Sequence, residues 1–344
     1  MNTTFYSVKK KKHITIPVFI PELACPHQCV FCNQEKITGK KLYPDAKLVD
    51  EIVNKYSSTI VPDDEVELAF FGGNFTGIDI DEQVKFLSAA NKYVKSGLLQ
   101  GLRVSTRPDY ISDEILDLLE KYNVKTIELG AQSMSDHVLN KAGRGHKVQD
   151  TIIAAEKIKK RGISLGLQMM IGLPGDTRET SIETTERIIE LGADNTRIYP
   201  TLVIRDTYLE KLYQQGKYTP LTLEEAVSRT KEIYLMFEKA GVFVLRTGLH
   251  PSEGFTSGEE LVAGPFFMNF KELVMTDIWN DIFTKYFTKS DKKQDIKLYV
   301  NPAEFNFSVG YESKNKKWLG EKFRKVKFYP DPQLEGRDFL VVYC

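Results

Sequence analysis

Short apolar runs and longer stretches of helical spacing alternate along the chain. His13 to Ile20 carries Ile14, Ile16, Val18 and Phe19 and predicts a buried strand interrupted by Pro17. From Lys47, the positions Leu48, Ile52, Val53 and Tyr56 recur at helical spacing, after the start signals Pro44 and Asp45. Val66 to Phe71 is the next strand, closed by Gly72-Gly73. The unit then recurs. Predicted helices run from Asp81 to Val94, Ser112 to Tyr122 (with Ser112 as N-cap), Val148 to Ile158 and Ser181 to Leu191. Predicted strands between and after them run from Leu102 to Ser105, Thr126 to Leu129, Ile163 to Ile171 and Asn195 to Pro200. A long helix from Thr222 to Ala240 leads to a candidate seventh strand at Val242 to Leu249. Beyond it the pattern reads as a Gly-rich loop from Gly254 to Gly264, a helix from Glu272 to Phe287 and a charged connector from Ser290 to Asp295. Lys297 to Val300, Phe323 to Tyr329 and Phe339 to Tyr343 read as strands of a small terminal element.

Helices between short apolar strands imply right-handed crossovers and a parallel sheet. The expected fold is α/β: a partial (β/α)6-type parallel barrel over residues 1–250, with a basic arm at 1–12, then a small C-terminal α+β extension over 251–344. The 344 residues accommodate one barrel of about 250 residues and an appendage. Zero formal net charge speaks against an extended nucleic-acid surface, although a local patch can hide within it. No run approaches the roughly 18 apolar residues of a membrane span, so no membrane partner is expected. Lys9 to Lys12 has no apolar stretch behind it, unlike a secretory signal, and the expected location is cytoplasmic.

In parallel α/β folds, functional residues gather at the C-terminal ends of the strands. After the first predicted strand stands Cys25-Pro-His-Gln-Cys29-Val-Phe-Cys32, which holds three of the four cysteines. Three thiolates on one tight loop can hold three irons of a [4Fe-4S] cluster and leave the fourth iron open. A zinc site would need a fourth ligand, and His27 lies too close within the loop to complete a tetrahedron easily. A disulfide would leave an odd thiol. The later strand ends supply Gly72, Gly73, Asn74 and Thr76, then Ser105, Thr106 and Arg107, then Gln132 and Ser133. Gln168 and Met170 follow on the fifth strand, and Arg197 and Tyr199 on the sixth.

With the cysteine loop after the first strand and Gly-Gly after the second, the sequence resembles the radical S-adenosylmethionine (radical SAM) superfamily over roughly residues 13 to 250. Phe71-Gly-Gly-Asn-Phe-Thr-Gly, Ser105-Thr-Arg-Pro-Asp, Glu128-Leu-Gly-Ala-Gln-Ser and Arg144-Gly-His are similar to motifs in the radical domain of the Elongator catalytic subunit. The oxygen-independent coproporphyrinogen oxidases are a more distant likeness. The resemblance implies that Cys25, Cys29 and Cys32 ligate a [4Fe-4S] cluster whose open iron is chelated by S-adenosylmethionine. It implies reductive cleavage of that cofactor to a 5′-deoxyadenosyl radical, which abstracts hydrogen.

The resemblance also assigns the cofactor contacts. Gly72 and Gly73 would admit the methionyl ammonium to the strand backbone, and Arg144 would pair with the methionyl carboxylate. Gln132 would touch the cofactor, Ser105 and Gln168 the ribose hydroxyls, and Met170 and Tyr199 would wall the adenine. Tight-turn and plain-core roles are the structural alternatives for the glycines and for the last two. Two departures limit the Elongator likeness. Three residues separate the first two cysteines, where that family usually has more, and the residues after His250 are too few for its acetyltransferase domain. Cys344 stands alone, so no auxiliary cluster is expected.

The leading expectation is a radical SAM enzyme acting on RNA, a tRNA base by analogy, with a flavodoxin- or ferredoxin-type electron donor. Lys9 to Lys12 and Lys314 to Lys327, with Trp318 and Phe323 interleaved, are candidate RNA contacts. The alternatives are an enzyme of a small metabolite, porphyrin-like or other, using Arg197, Arg246 and His250, and a non-enzymatic cluster-binding protein.

Overall fold

The computed structural model describes residues 13–20, 29–33, 45–61, 64–249, 253–289 and 291–344. Seven strands form one parallel sheet: β1 (His13–Ile20), β2 (Glu65–Gly72), β3 (Gly101–Thr106), β4 (Val124–Gln132), β5 (Ser164–Ile171), β6 (Asn195–Pro200) and, after a short β7 (Val203–Ile204), β8 (Phe243–Thr247). They pair in the order β1-β2-β3-β4-β5-β6-β8, and the sheet curls into a half-barrel. The candidate seventh strand is therefore part of the sheet. Pro17 does not interrupt β1, because among the described residues β1 pairs only with β2 and an edge strand tolerates a missing N–H.

Helices Lys47–Ser57, Ile80–Lys95, Asp113–Lys121, Val148–Lys160, Arg178–Glu190 and Leu223–Lys239 connect the strands. Side-chain caps fix several of their starts: Asp79, Ser112, Thr177 and Thr222 each accept an N–H of the first turn. One parity of the strands packs on the helices. Ile16, Val18, Leu68, Phe70, Leu102, Val104, Ile127, Leu129, Leu165 and Leu167 join Val53, Phe86, Leu119 and Ile158 in the main core. The opposite parity faces the concave side, and it is polar: Thr15, Glu67, Arg103, Glu128, Gln168 and Arg197.

Past β8 the chain departs from expectation in three places. The Gly-rich stretch folds as a one-turn helix, Glu253–Ser257, and a short β9 (Leu261–Ala263) that pairs antiparallel with β7. The charged connector is the start of β10 (Asp291–Val300). Lys314 to Lys322, part of the stretch expected to contact RNA, is helical, its Leu319 buried among Trp279, Phe283 and Val326, and the strand expected from Phe323 follows it as β11 (Phe323–Pro330). β11, β10 and β12 (Phe339–Tyr343) form a separate sheet with β10 central, parallel to β11 and antiparallel to β12. Helix Phe270–Tyr286 spans the two cores. Its first half, with Phe270, Val274 and Ile278, packs in the barrel core, and Trp279 and Phe283 pack under the terminal sheet. No helix among the described residues is long and apolar enough to cross a membrane.

Candidate active site

The cysteine loop is anchored by its neighbours. Val30 N–H donates to Ala142 O at 3.0 Å, Leu209 N–H donates to Val30 O at 2.7 Å, and Cys32 N–H closes a turn on Cys29 O at 3.0 Å. Cys29 is 5% exposed, and it shares an apolar cluster with Val30, Phe31 and Met170, against which Cys32 and Tyr199 pack. Met170 and Tyr199 are register partners on β5 and β6. Two of the predicted cluster ligands thus share one apolar cluster with both predicted adenine-wall residues. Cys25, His27, Lys9 to Lys12 and His250 lie outside the described residues. Among the described residues no group of three or more metal-binding side chains is gathered.

Arg144 stands beside this loop, 6% exposed. One terminal nitrogen, Nη2, donates to Gly130 O at 2.8 Å, and the other, Nη1, lies 3.5 Å from Cys29 Sγ. A methyl group on Gly130 would stand 2.8 Å from Arg144 Nη2 and 3.1 Å from Gln132 Nε2, so the missing side chain makes room for both. Gln132 adopts φ +64° at the end of β4 and accepts from Gln168 Nε2 at 3.1 Å. Three predicted cofactor residues are therefore brought to one rim. Ser105 is near it on β3, its hydroxyl buried.

Gly72 stands against the end of β1. At φ +140° its Cβ would lie 1.8 Å from Ile20 O, the last carbonyl of β1. The glycine is required by strand-to-strand approach at the root of the cysteine loop, whatever else it contacts. Asn74 is buried and accepts from Thr106 Oγ1 at 2.6 Å and Arg107 N–H at 3.3 Å. It ties the loop after β2 to the end of β3.

Glu67 and Arg103 carry charge inside the barrel without belonging to any motif. Arg103 donates to Glu67 at 2.8 Å and to Glu128 at 3.2 Å, and Arg197 takes the other Glu128 oxygen while its guanidinium lies 5.0 Å from the Phe71 ring centroid. Burial opposes charge on Arg197, but Glu128 and Tyr199 outweigh it and raise its pKa. Their signal was present: a charged residue at the inward parity of an otherwise apolar strand. Arg246, the register partner of Arg197, donates to Gly248 O, and burial with the charge of Arg197 lowers its pKa. His146 is 4% exposed, and among the described residues neither ring nitrogen has a well-formed hydrogen bond, only a weak approach to the Ala131 backbone. Burial, then the charges of Arg144 and Arg107, hold its pKa at about 3.

The fit of the implied cofactors can be judged from groups left over. Ser105 Oγ and Arg144 Nε are buried without a hydrogen-bond partner among the described residues, a costly state that a bound polar ligand would relieve. A hydroxyl-rich, carboxylate-bearing molecule beside a thiol loop matches these donors and acceptors. The residues fit an iron-sulfur cluster and S-adenosylmethionine.

Comparison with known proteins agrees. The Radical SAM superfamily model matches residues 20–188, and the Radical_SAM C-terminal domain model matches residues 193–279. A tRNA uridine(34) acetyltransferase of Methanocaldococcus jannaschii is 31% identical over 59% of this chain and 45% of its own. An uncharacterized protein of the same organism is 30% identical over 64% of this chain and 70% of its own. Of three tRNA uridine(34) acetyltransferases that it matches, the chain spans only 35%, 45% and 52% of the length. The solved archaeal Elp3 of Methanocaldococcus infernus shares the fold, with TM-score 0.61 and 23% identity over 81% of this chain and 63% of that one. A half-barrel with a cysteine loop at the end of its first strand, matched over most of its length by these models, belongs to the radical SAM superfamily.

Proposed function

We propose that this radical SAM enzyme acts on RNA, with a base of tRNA as its substrate. The observation that carries the reading is its 31% identity to an enzyme named for tRNA uridine 34. The matched segment covers less than half of that relative, so acetyl transfer is not part of the proposal. A flavodoxin- or ferredoxin-type protein in the cytoplasm would supply the electron.

When bound, the cluster and S-adenosylmethionine supply a 5′-deoxyadenosyl radical for hydrogen abstraction. The chain's own residues position and shield. In this reading Cys25, Cys29 and Cys32 hold the cluster, and Arg144, with Gly130 keeping its space, takes the methionyl carboxylate. Gly72 and Gly73 would admit the methionyl ammonium to the strand backbone. Gln132, Gln168 and Ser105 take polar groups of the cofactor, and Met170 and Tyr199 exclude water from the adenine side. Neutral His146 adds no positive charge beside Arg144.

The test is anaerobic assay of 5′-deoxyadenosine from reconstituted, dithionite-reduced protein with and without total tRNA. Acceleration of cleavage by tRNA is expected, and cleavage indifferent to tRNA would overturn the RNA reading. A second reading, a carboxylate-bearing metabolite, is favoured by Arg246, a desolvated guanidinium with no carboxylate partner among the described residues.

A further inference from the structure

The terminal sheet has two unlike faces. Ile296, Leu298, Val300 and Val326 point into the core around Trp279 and Phe283. On the other face two rows lie side by side across the strands. In the first, Lys297 is flanked by Lys327 on β11 and Val342 on β12; in the second, Tyr299 is flanked by Tyr329 and Leu340. The tyrosine rings are stacked, with centroids 5.3 Å apart and planes 23° from parallel. Leu340 and Val342 are 50% and 38% exposed, so this face is open to solvent.

Its charge is unbalanced. Lys297 and Lys327 stand directly opposite each other, a like-charge pair that costs a sheet stability. Lys325 is the next residue on the same face of β11. Asp295, its register partner, is taken by Arg324 at 2.7 Å. No carboxylate pairs with Lys297, Lys325 or Lys327 among the described residues. Asp295 also interacts electrostatically with Lys325 and Lys327, but three lysines without an ion-pair partner beside a stacked aromatic pair form a surface for a polyanion with planar groups.

We infer that this face docks single-stranded RNA, unpaired bases stacking on Tyr299 and Tyr329 while Lys297, Lys325 and Lys327 take the phosphates. The site deepens the RNA reading above and rests on it only for the origin of the strand. An acidic peptide would satisfy the lysines but would leave the ring pair unused. Trp318 and Phe323, expected to contact bases, are not the stacking residues: Phe323 is buried in the core, and the Trp318 ring lies under Lys322.

The full-length chain is titrated into a fluorescein-labelled oligouridylate and, separately, a duplex RNA of equal length, with binding read by fluorescence anisotropy. Preference for the single strand is expected. Tyr299→Ala with Tyr329→Ala should weaken it on the order of ten-fold or more, and the two Phe substitutions should preserve it. Lys297→Glu with Lys327→Glu should weaken binding and flatten its logarithmic salt dependence by about 1.4, the contribution of two phosphates. Equal binding of duplex, or wild-type affinity in the Tyr→Ala pair with unchanged melting, would overturn the site. So would poly-glutamate binding that the Tyr→Ala pair weakens as much as RNA binding. The deoxyadenosine assay separates the two proposals. If tRNA stimulates wild type and both variants alike, the face is wrong and the RNA substrate survives. If the variants lose RNA binding while tRNA has no effect on wild-type cleavage, the face survives and the RNA substrate is wrong.

Discussion

Arg144 reaches to 3.5 Å from the sulfur of Cys29 while its other terminal nitrogen is held by Gly130 O. One side chain therefore links the thiol loop to the end of β4, and its position depends on an absent methyl group. Gly130→Ala should push Arg144 and Gln132 aside and weaken S-adenosylmethionine binding about ten-fold, the loss of roughly one good charged hydrogen bond. Equilibrium dialysis measures this, and the cluster absorbance should stay unchanged. Loss of that absorbance would make Arg144 a support for the loop.

Gly72→Ala is expected to behave differently. The added carbon meets the Ile20 carbonyl at 1.8 Å, in a backbone region reserved for glycine. A loss of stability on the order of 3 kcal/mol or more is expected, seen by denaturant titration before any cofactor is added. A variant of wild-type stability that failed only in cofactor binding would restore the ligand-approach explanation for this glycine.

Glu128→Gln keeps the shape of the barrel interior and removes its central negative charge. Arg103 would retain Glu67, but Arg197 would lose its carboxylate. Breaking a buried ion network from one side costs about 3–5 kcal/mol. Thermal melting should fall accordingly, and Glu128→Gln with Arg197→Met should recover part of the loss.

His146 predicts a pH signature. Its pKa is about 3 in the fold and 6.5 when free, so between those values the unfolded chain binds the extra proton. The stability it contributes is fully present above pH 6.5 and is lost as pH falls toward 3, at about 1.4 kcal/mol per pH unit. Melting of cluster-free protein between pH 6.5 and 4.5 should show a shallower slope in His146→Gln. An identical slope would place the acid sensitivity elsewhere.

Cys29→Ala and Cys32→Ala should each abolish the cluster absorbance and cofactor cleavage after anaerobic reconstitution. Cys344, exposed at the end of the chain, should be replaceable by Ala without effect on either.

The strands and crossover helices were legible because burial on one face imposes a period, and β1 and β6 were read to their end residues. The same logic failed at Lys314 to Lys322. Its lysines mask the apolar period, but one buried leucine per two turns is enough to seat a helix on the aromatic cluster beneath. Of the rim residues, Gln132 and Arg144 lie in motifs and Gln168 on the fifth predicted strand. Glu67 and Arg103 belong to no such stretch, and their partners come from strands distant in sequence. Gly72 stands out in the sequence as half of Gly72-Gly73, but the neighbour that excludes a side chain there, Ile20, is 52 positions upstream and is visible only in three dimensions.

The chain of Glu67, Arg103, Glu128 and Arg197 crosses β2, β3, β4 and β6 on the concave side of the sheet. It acts as a tie across the curve: the trough cannot flatten, or collapse on a guest, without parting an ion pair. A substrate entering there meets charges already oriented by folding. The reorganisation that water would demand at each turnover has been met once, when the chain folded.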